Sequence, residues 1–232
     1  HLSIRRQRQM CIRDRYEYHR ISGRGSISGY KIALSSKVIQ DFCGINNPIA
    51  GGLFADEIFQ TPHKLVAKGP RGLGLEFELA IKVGKDIKPG QNNVNETTAK
   101  EYIDWVAPAF EMISDRDANY SKLDPLTMIA DNAWSAGVVI GSPILSWRDL
   151  DFTNLKASLT WNSEFPLEAN IMASAPFASF AWVVNLVTSF GKTVYKGNTI
   201  ITGSVLKTRT PKIGDKIKYE IDKLSKVEII VV

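Results

Sequence analysis

The chain has 232 residues, 44% hydrophobic and 23% charged, which is enough apolar material for a sizeable core and excludes a disordered segment or a stapled mini-protein. No run of 18 apolar residues occurs, and the most apolar stretches, 175–187 and 227–232, are too short to span a bilayer, so no membrane partner is expected. The net charge of +5 is confined to residues 1–24, with seven Arg, one Asp and one Glu, whereas residues 25–232 carry 22 basic and 22 acidic side chains; no nucleic-acid partner is expected from the rest.

The lead HLSIRRQRQMCIRDR uses Arg without Lys, while residues 25–232 use 18 Lys and four Arg. It has no initiating Met and no apolar signal region. Residues 1–15 are therefore expected to be a non-native lead, a cloning or assembly remnant; a basic nucleic-acid arm is the lesser alternative. With only Cys11 and Cys43 and no export signal, a disulfide framework and a thiolate metal site are excluded, and a cytoplasmic protein is expected.

Residues 29–35 (GYKIALS) read as a short strand, and 36–42 have helical spacing up to a stop at Gly44. The stretch 46–52 is turn chemistry. Residues 75–83 (LEFELAIKV) are the clearest strand, with Leu75, Phe77, Leu79, Ile81 and Val83 on one face. After a polar loop at 86–95, Thr98 and Glu101 have capping-box spacing for a helix to about Trp105, ended by Pro108. Then follow a strand at 109–113, a helix at 126–134, short strands at 138–140 and 155–161, and a deeply buried helix at 176–190 ended by Gly191. Strands at 199–202, 216–221 and 226–232 close the chain. Short strands with a few helices and no regular alternation predict an α+β fold with a substantial mixed sheet.

Glu76 and Glu78 lie two apart in the best strand, so both carboxylates project the same way, roughly 6 to 7 Å apart. A solvent-facing pair would look the same. Glu111, flanked by Phe110, Met112 and Ile113, adds a carboxylate within an apolar strand, where an ionised group needs a cation or several donors. Three carboxylates suit magnesium or manganese. Zinc is disfavoured, since His1, His19 and His63 show no ligand spacing. Lys31 sits inside an apolar run; either its head reaches water from a buried stem, or it is buried with a lowered pKa and moves protons.

The segments GYKIALSS, GGLFADEIF, LEFELAIKVGKDI, APAFEMISDR, IADNAWSAGVVIG and FAWVVNLVTSFGKTVYKGNTIITGS, with PKIGDKI near the end, occur in an order that resembles the 2-oxopent-4-enoate hydratase and 4-oxalocrotonate decarboxylase branch of the fumarylacetoacetate hydrolase superfamily. The resemblance implies a mixed β-sheet roll with peripheral helices, like that superfamily's C-terminal domain. It implies a Mg2+ or Mn2+ ion on Glu76, Glu78 and Glu111, catalytic roles for Lys31 and Asp56, and substrate-binding roles for Ser135, Thr202, Gly203 and Ser204. It also implies a homo-oligomer. The family carries a longer helical lead before its GYK segment, so residues 16–232 are expected to be a single catalytic domain, N-terminally truncated.

The activity so implied is metal-dependent addition of water to a short 2-hydroxy-2,4-dienoate, giving a 4-hydroxy-2-oxo acid, with a small 2-oxo acid as the bound partner. The first alternative is decarboxylation of a 2-oxo-3-enedioate of the 4-oxalocrotonate type, for which Arg116 or Lys122 would supply a cationic site. An acylpyruvate-type hydrolase ranks below, because its His-x-x-Glu motif does not occur here. A non-enzymatic binding role would leave the acids and Lys31 unexplained. Two departures bear on the substrate: Ser114-Asp115-Arg116 follows the third Glu, and Trp134 stands where the family has a small residue.

Overall fold

The computed structural model describes residues 16, 20–67, 72–90 and 94–232; the expectation for the lead 1–15 lies outside them. Strand β1 (Ile27–Ala33) carries the GYK segment. Ser36 then caps helix α1 (Lys37–Phe42), its hydroxyl accepting from the Ile39 N–H at 3.4 Å. The stretch 46–52, expected as turns, instead runs into a fully buried strand, β2 (Ile49–Phe54). Its glycines serve close approach rather than turning, since a Cβ on Gly51 would meet the carbonyl oxygen of Asn132 at 2.5 Å.

Two short strands, β3 (Ile58–Gln60) and β4 (His63–Leu65), precede the long β5 (Leu73–Val83), which starts two residues before its alternating pattern predicts. The helix expected from Thr98 to about Trp105 is a single 3-10 turn, Ala99–Tyr102. No capping bond comes from the Thr98 side chain; Asn95 Oδ1 accepts from the Thr97 and Thr98 N–H groups instead. The chain then enters β6 (Ile103–Ser114). Pro108 therefore lies inside a strand instead of ending a helix. It is tolerated because the β6 ladder toward the next strand stops at Ala109, so its missing N–H costs no bond there, while its carbonyl accepts from Gly141 at 2.8 Å.

The remaining elements are α2 (Pro125–Ala130), β7 (Ser135–Ile140), β8 (Lys156–Trp161), β9 (Leu167–Asn170), α3 (Pro176–Ser189), β10 (Thr199–Ile201), β11 (Lys216–Ile221) and β12 (Lys226–Val231). They follow the expected order, except that β9 is not among those expected and the helix expected over 126–134 stops at Ala130, before a left-handed turn at 132–134. Residues 171–189 are helical and reach a mean hydropathy of 1.5, with half of the stretch buried. Ala175, at φ 44°, divides it into a 3-10 turn and α3. Phe177, Phe180, Val183, Val184 and Val187 of α3 are core side chains, each worth about 1.5–3 kcal/mol of apolar burial.

Seven strands form one mixed sheet in the order β2-β1-β10-β5-β6-β7-β3, and five form another, β4-β12-β11-β8-β9. The apolar face of β5 meets the second sheet: the Phe77 and Phe110 rings lie 5.9 Å apart and both pack on Tyr219 of β11. The other face of β5 is not solvent-facing. The seven-stranded sheet curls until β2 packs on β7, and Leu53, Ala80, Ala107, Ala109, Val138, Ile140 and Ile201 line the inside. This is the expected α+β roll, and its interior is where the acidic residues point.

Candidate metal and active site

Glu76 and Glu111 are directly opposite one another across the β5–β6 ladder, and Glu78 pairs with Ala109. Period-two alternation therefore places all three carboxylates on the inner face of the roll. Each offers an oxygen within 4.8 Å of the others'. Glu78 and Glu111 are fully buried, and Glu76 is half-buried. Like charges opposed at this distance destabilise a sheet unless a cation offsets them.

Lys31 supplies one positive charge. Its register places it opposite Gly51 of β2 and beside Ile201 of β10. Beyond Ile201 the chain leaves the sheet, so the Lys31 side chain can reach across toward β6. Its Nζ lies 2.8 Å from Glu111 Oε1 and donates to the Ala133 carbonyl at 3.1 Å. Lys31 is buried, 2% exposed. Burial alone would lower its pKa, but Glu111, Glu76 and Glu78 outweigh that and hold the ammonium above its ordinary value. The lowered pKa expected for Lys31 is that of a lysine buried near a bound metal, whose positive charge would oppose the pull of these carboxylates.

The carboxylates are raised too, but by burial itself. Burial pushes Glu111 up to about 7 against the pull of Lys31. Burial, then the charges of Glu111 and Glu76, pushes Glu78 well above the usual range, although the Gly203 N–H donates to its Oε2 at 2.6 Å. Glu78 Oε1 and Glu111 Oε2 are buried oxygens with no hydrogen-bond donor among the described residues. Glu76 Oε1 accepts from the Thr208 hydroxyl at 2.8 Å. Hard oxygens left unsatisfied at the meeting point of three carboxylates fit a divalent cation.

A cavity of about 400 Å³ opens onto this cluster. Lys31, Glu76, Gly203, Ser204 and Thr208 line its polar end, and Ile39, Leu123, Met128, Trp134 and Leu206 form apolar walls. The indole of Trp134 meets the Tyr120 ring edge-on at 5.7 Å. Lys207 also lines the cavity.

The expected site residues fall into two groups. Lys31, Glu76, Glu78, Glu111, Gly203 and Ser204 come together. Asp56 does not: it is exposed in the 3-10 turn Ala55–Glu57, beyond the end of β2 that pairs with Ile27 rather than with Lys31. Thr202 is fully buried and its hydroxyl donates to the Leu79 carbonyl at 2.9 Å. It holds the turn and does not line the cavity. Ser135 is buried, its Oγ without a hydrogen-bond partner among the described residues, and is also outside the lining. Arg116 is tied to Asp131 at 2.7 Å and Lys122 is exposed; neither lines the cavity. Sequence reasoning missed Asn132, Ala133, Thr208 and Lys207. Adjacent glycines in an apolar strand, Gly51 and Gly52, were the available sign that another backbone lies against β2.

The fold and the cluster define a class: an α+β roll whose interior joins three carboxylates and a lysine at the end of a cavity. No family model matches the chain. It is 28% identical over 211 residues to the 2-keto-4-pentenoate hydratase of Paraburkholderia xenovorans, spanning 90% of this chain and 77% of that protein. It is 26% identical over 206 residues to a 4-oxalocrotonate decarboxylase of Pseudomonas putida, spanning 87% and 76%. The structure of 4-oxalocrotonate decarboxylase from Pseudomonas putida G7, complexed with magnesium and adipate, has the same fold. Its TM-score is 0.84 at 24% identity, over 95% of this chain and 86% of that one. The resemblance carried by the order of the segments is thereby shown: the chain is related to the hydratases and the decarboxylase of this branch and shares their class, the lyases.

Proposed function

We propose that the protein is a metal-dependent hydratase that adds water to a short 2-hydroxy-2,4-dienoate, of the 2-oxopent-4-enoate type, to give a 4-hydroxy-2-oxo acid. The observation that carries this reading is the buried Lys31–Glu111 pair, 2.8 Å apart, beside two further carboxylates at the end of a partly apolar cavity. Glu76, Glu78 and Glu111 would hold Mg2+ or Mn2+, which supplies Lewis-acid stabilisation of the negative charge that develops on a 2-oxo acid.

The chain's own residues do the rest. Lys31 holds a proton at Nζ, fixed by Glu111 and the Ala133 carbonyl, and exchanges it as the 2-hydroxydienoate passes to its 2-oxo form. Water then adds to the double bond conjugated with the 2-oxo group. Ile39, Leu123, Met128 and Trp134 shield the hydrocarbon part of the substrate. The Gly203 N–H holds Glu78, and Ser204 fixes the same turn by accepting from the Phe77 N–H at 2.8 Å. With Asp56 exposed outside the cavity, proton transfer rests on Lys31.

One observation favours the decarboxylase alternative. Lys207 puts a cation on the cavity wall where a second carboxylate of an enedioate could meet it. The hydrolase reading has less support, since His63 of β4 stacks on Phe59 with ring centroids 4.3 Å apart, in the other sheet. Loss of the dienoate's ultraviolet absorbance, with mass analysis of the product, tests the assignment. Added water supports the hydratase, carbon dioxide release from an enedioate transfers the function to the decarboxylase, and no turnover of either class removes both.

The exposed Val38, Leu145, Phe165 and Ile213 support self-association into a homo-oligomer. The shared core of the two sheets supports reading 16–232 as one catalytic domain. A cytoplasmic setting accords with the bacterial catabolic relatives.

A further inference from the structure

Asn132, Ala133 and Trp134 are three successive non-glycine residues in the left-handed region, with φ of 53°, 50° and 62°. Asn tolerates this region as a single residue, but Ala133 and Trp134 are disfavoured there, and a run of three persists only where its surroundings over-determine it. The surroundings here are specific. Asn132 is 1% exposed, and its side-chain amide grips one residue of β2 from both sides. Its Oδ1 accepts from the Gly52 N–H at 2.7 Å and its Nδ2 donates to the Gly52 carbonyl at 2.8 Å. The neighbouring Gly51 leaves room for the Asn132 backbone to lie on the strand.

The turn delivers its next residue onto the reacting group. The Ala133 carbonyl accepts from Lys31 Nζ at 3.1 Å, while Glu111 holds a second N–H. Among the described residues these are the two groups that hold Lys31 Nζ, and Lys31 lines the cavity. An unanchored Ala133 carbonyl would leave the ammonium held by Glu111 alone, with its direction undefined.

We propose that Asn132 is a positioning residue: by clamping the left-handed turn to Gly52 it aims the Lys31 ammonium into the cavity through the Ala133 carbonyl. The proposal rests on the reading of Lys31 as the proton-transfer group. It assigns the left-handed run to one purpose, orienting a proton at a defined atom.

A double-mutant cycle tests it, with the full chain, saturating magnesium and the dienoate assay. Asn132→Ala is expected to lower kcat about 10-fold or more, the scale on which misorienting a general acid acts, with KM changed by less than about 3-fold. In the Lys31→Met background the same substitution should cost less than about 2-fold, because the group it positions is gone. Magnesium affinity by calorimetry should be nearly unchanged. If Asn132→Ala does not fold, Asn132→Gly takes its place: glycine tolerates the left-handed φ of 53° while the amide clamp on Gly52 is lost, and the same pattern is expected. Equal fold-losses in both backgrounds, or an unchanged kcat in the wild-type background, overturn the positioning role in an enzyme that is otherwise active. A wild-type chain that turns over no dienoate overturns the reading of the reaction, and this inference with it.

Discussion

The two faces of β5 are built from the same strand to opposite ends. On one, Leu75, Phe77, Leu79 and Ile81 are fully buried against apolar neighbours, so each contributes to stability as any core side chain does. On the other, Glu76 and Glu78 face Glu111 and Lys31 inside the roll, where desolvated like charges oppose folding. The stability needed to hold the second face is supplied by the first. A strand whose sides differ in this way shows where the molecule spends stability on chemistry.

Substitutions on the two faces should therefore separate stability from activity. Phe77→Ala, which removes a ring packed on Phe110 and Tyr219, is expected to cost about 3–5 kcal/mol, read as a loss in thermal midpoint. Glu78→Gln keeps the size and removes a buried charge, so its metal-free thermal midpoint should be unchanged or higher. Destabilisation comparable to that of Phe77→Ala would mean the inner face is ordinary core.

Next in size is Lys31→Met, expected to slow turnover about 100-fold or more while leaving the fold intact. Full activity in that variant would take Lys31 out of the mechanism.

A smaller effect sharpens the same contrast through pH. The folded pKa of Glu111 is raised from 4.5 to about 7, and that of Glu78 is raised as well. The folded state therefore binds protons more tightly than the unfolded chain, and the stability this contributes below pH 4.5 is lost as pH rises through about 7. Without added metal, the thermal midpoint should fall by a few degrees over that range, and Glu111→Gln should flatten the decline. A midpoint that rises across the window would contradict the buried-acid account.

Much of this contrast was legible in the sequence because β5 alternates strictly, so Glu76 and Glu78 had to share a face whatever the fold. The apolar neighbours of Glu111 marked it for burial, and the apolar run around Lys31 did the same for the lysine. What local pattern could not carry was the curl of the sheet. A polar strand face reads as solvent-facing until a distant strand, here β2 against β7, closes over it. The same limit hid the role of Asn132, whose partner Gly52 is 80 residues away. It also left Asp56 and Thr202 as site residues on motif alone, though one is exposed outside the cavity and the other gives its hydroxyl to a backbone carbonyl. Pro108 misled because proline usually ends a helix, whereas the β6–β7 ladder happens to stop one residue away.

The central claim is that the inner face of β5 and β6 is a divalent-cation site, and calorimetric titration with Mg2+ and Mn2+ tests it most directly. Wild type should bind one ion per chain, and Glu78→Gln and Glu111→Gln should each lose about 10-fold or more in affinity, as removal of a charged oxygen ligand from a three-carboxylate site requires. Wild-type affinity in both variants, with both folded, would contradict the account.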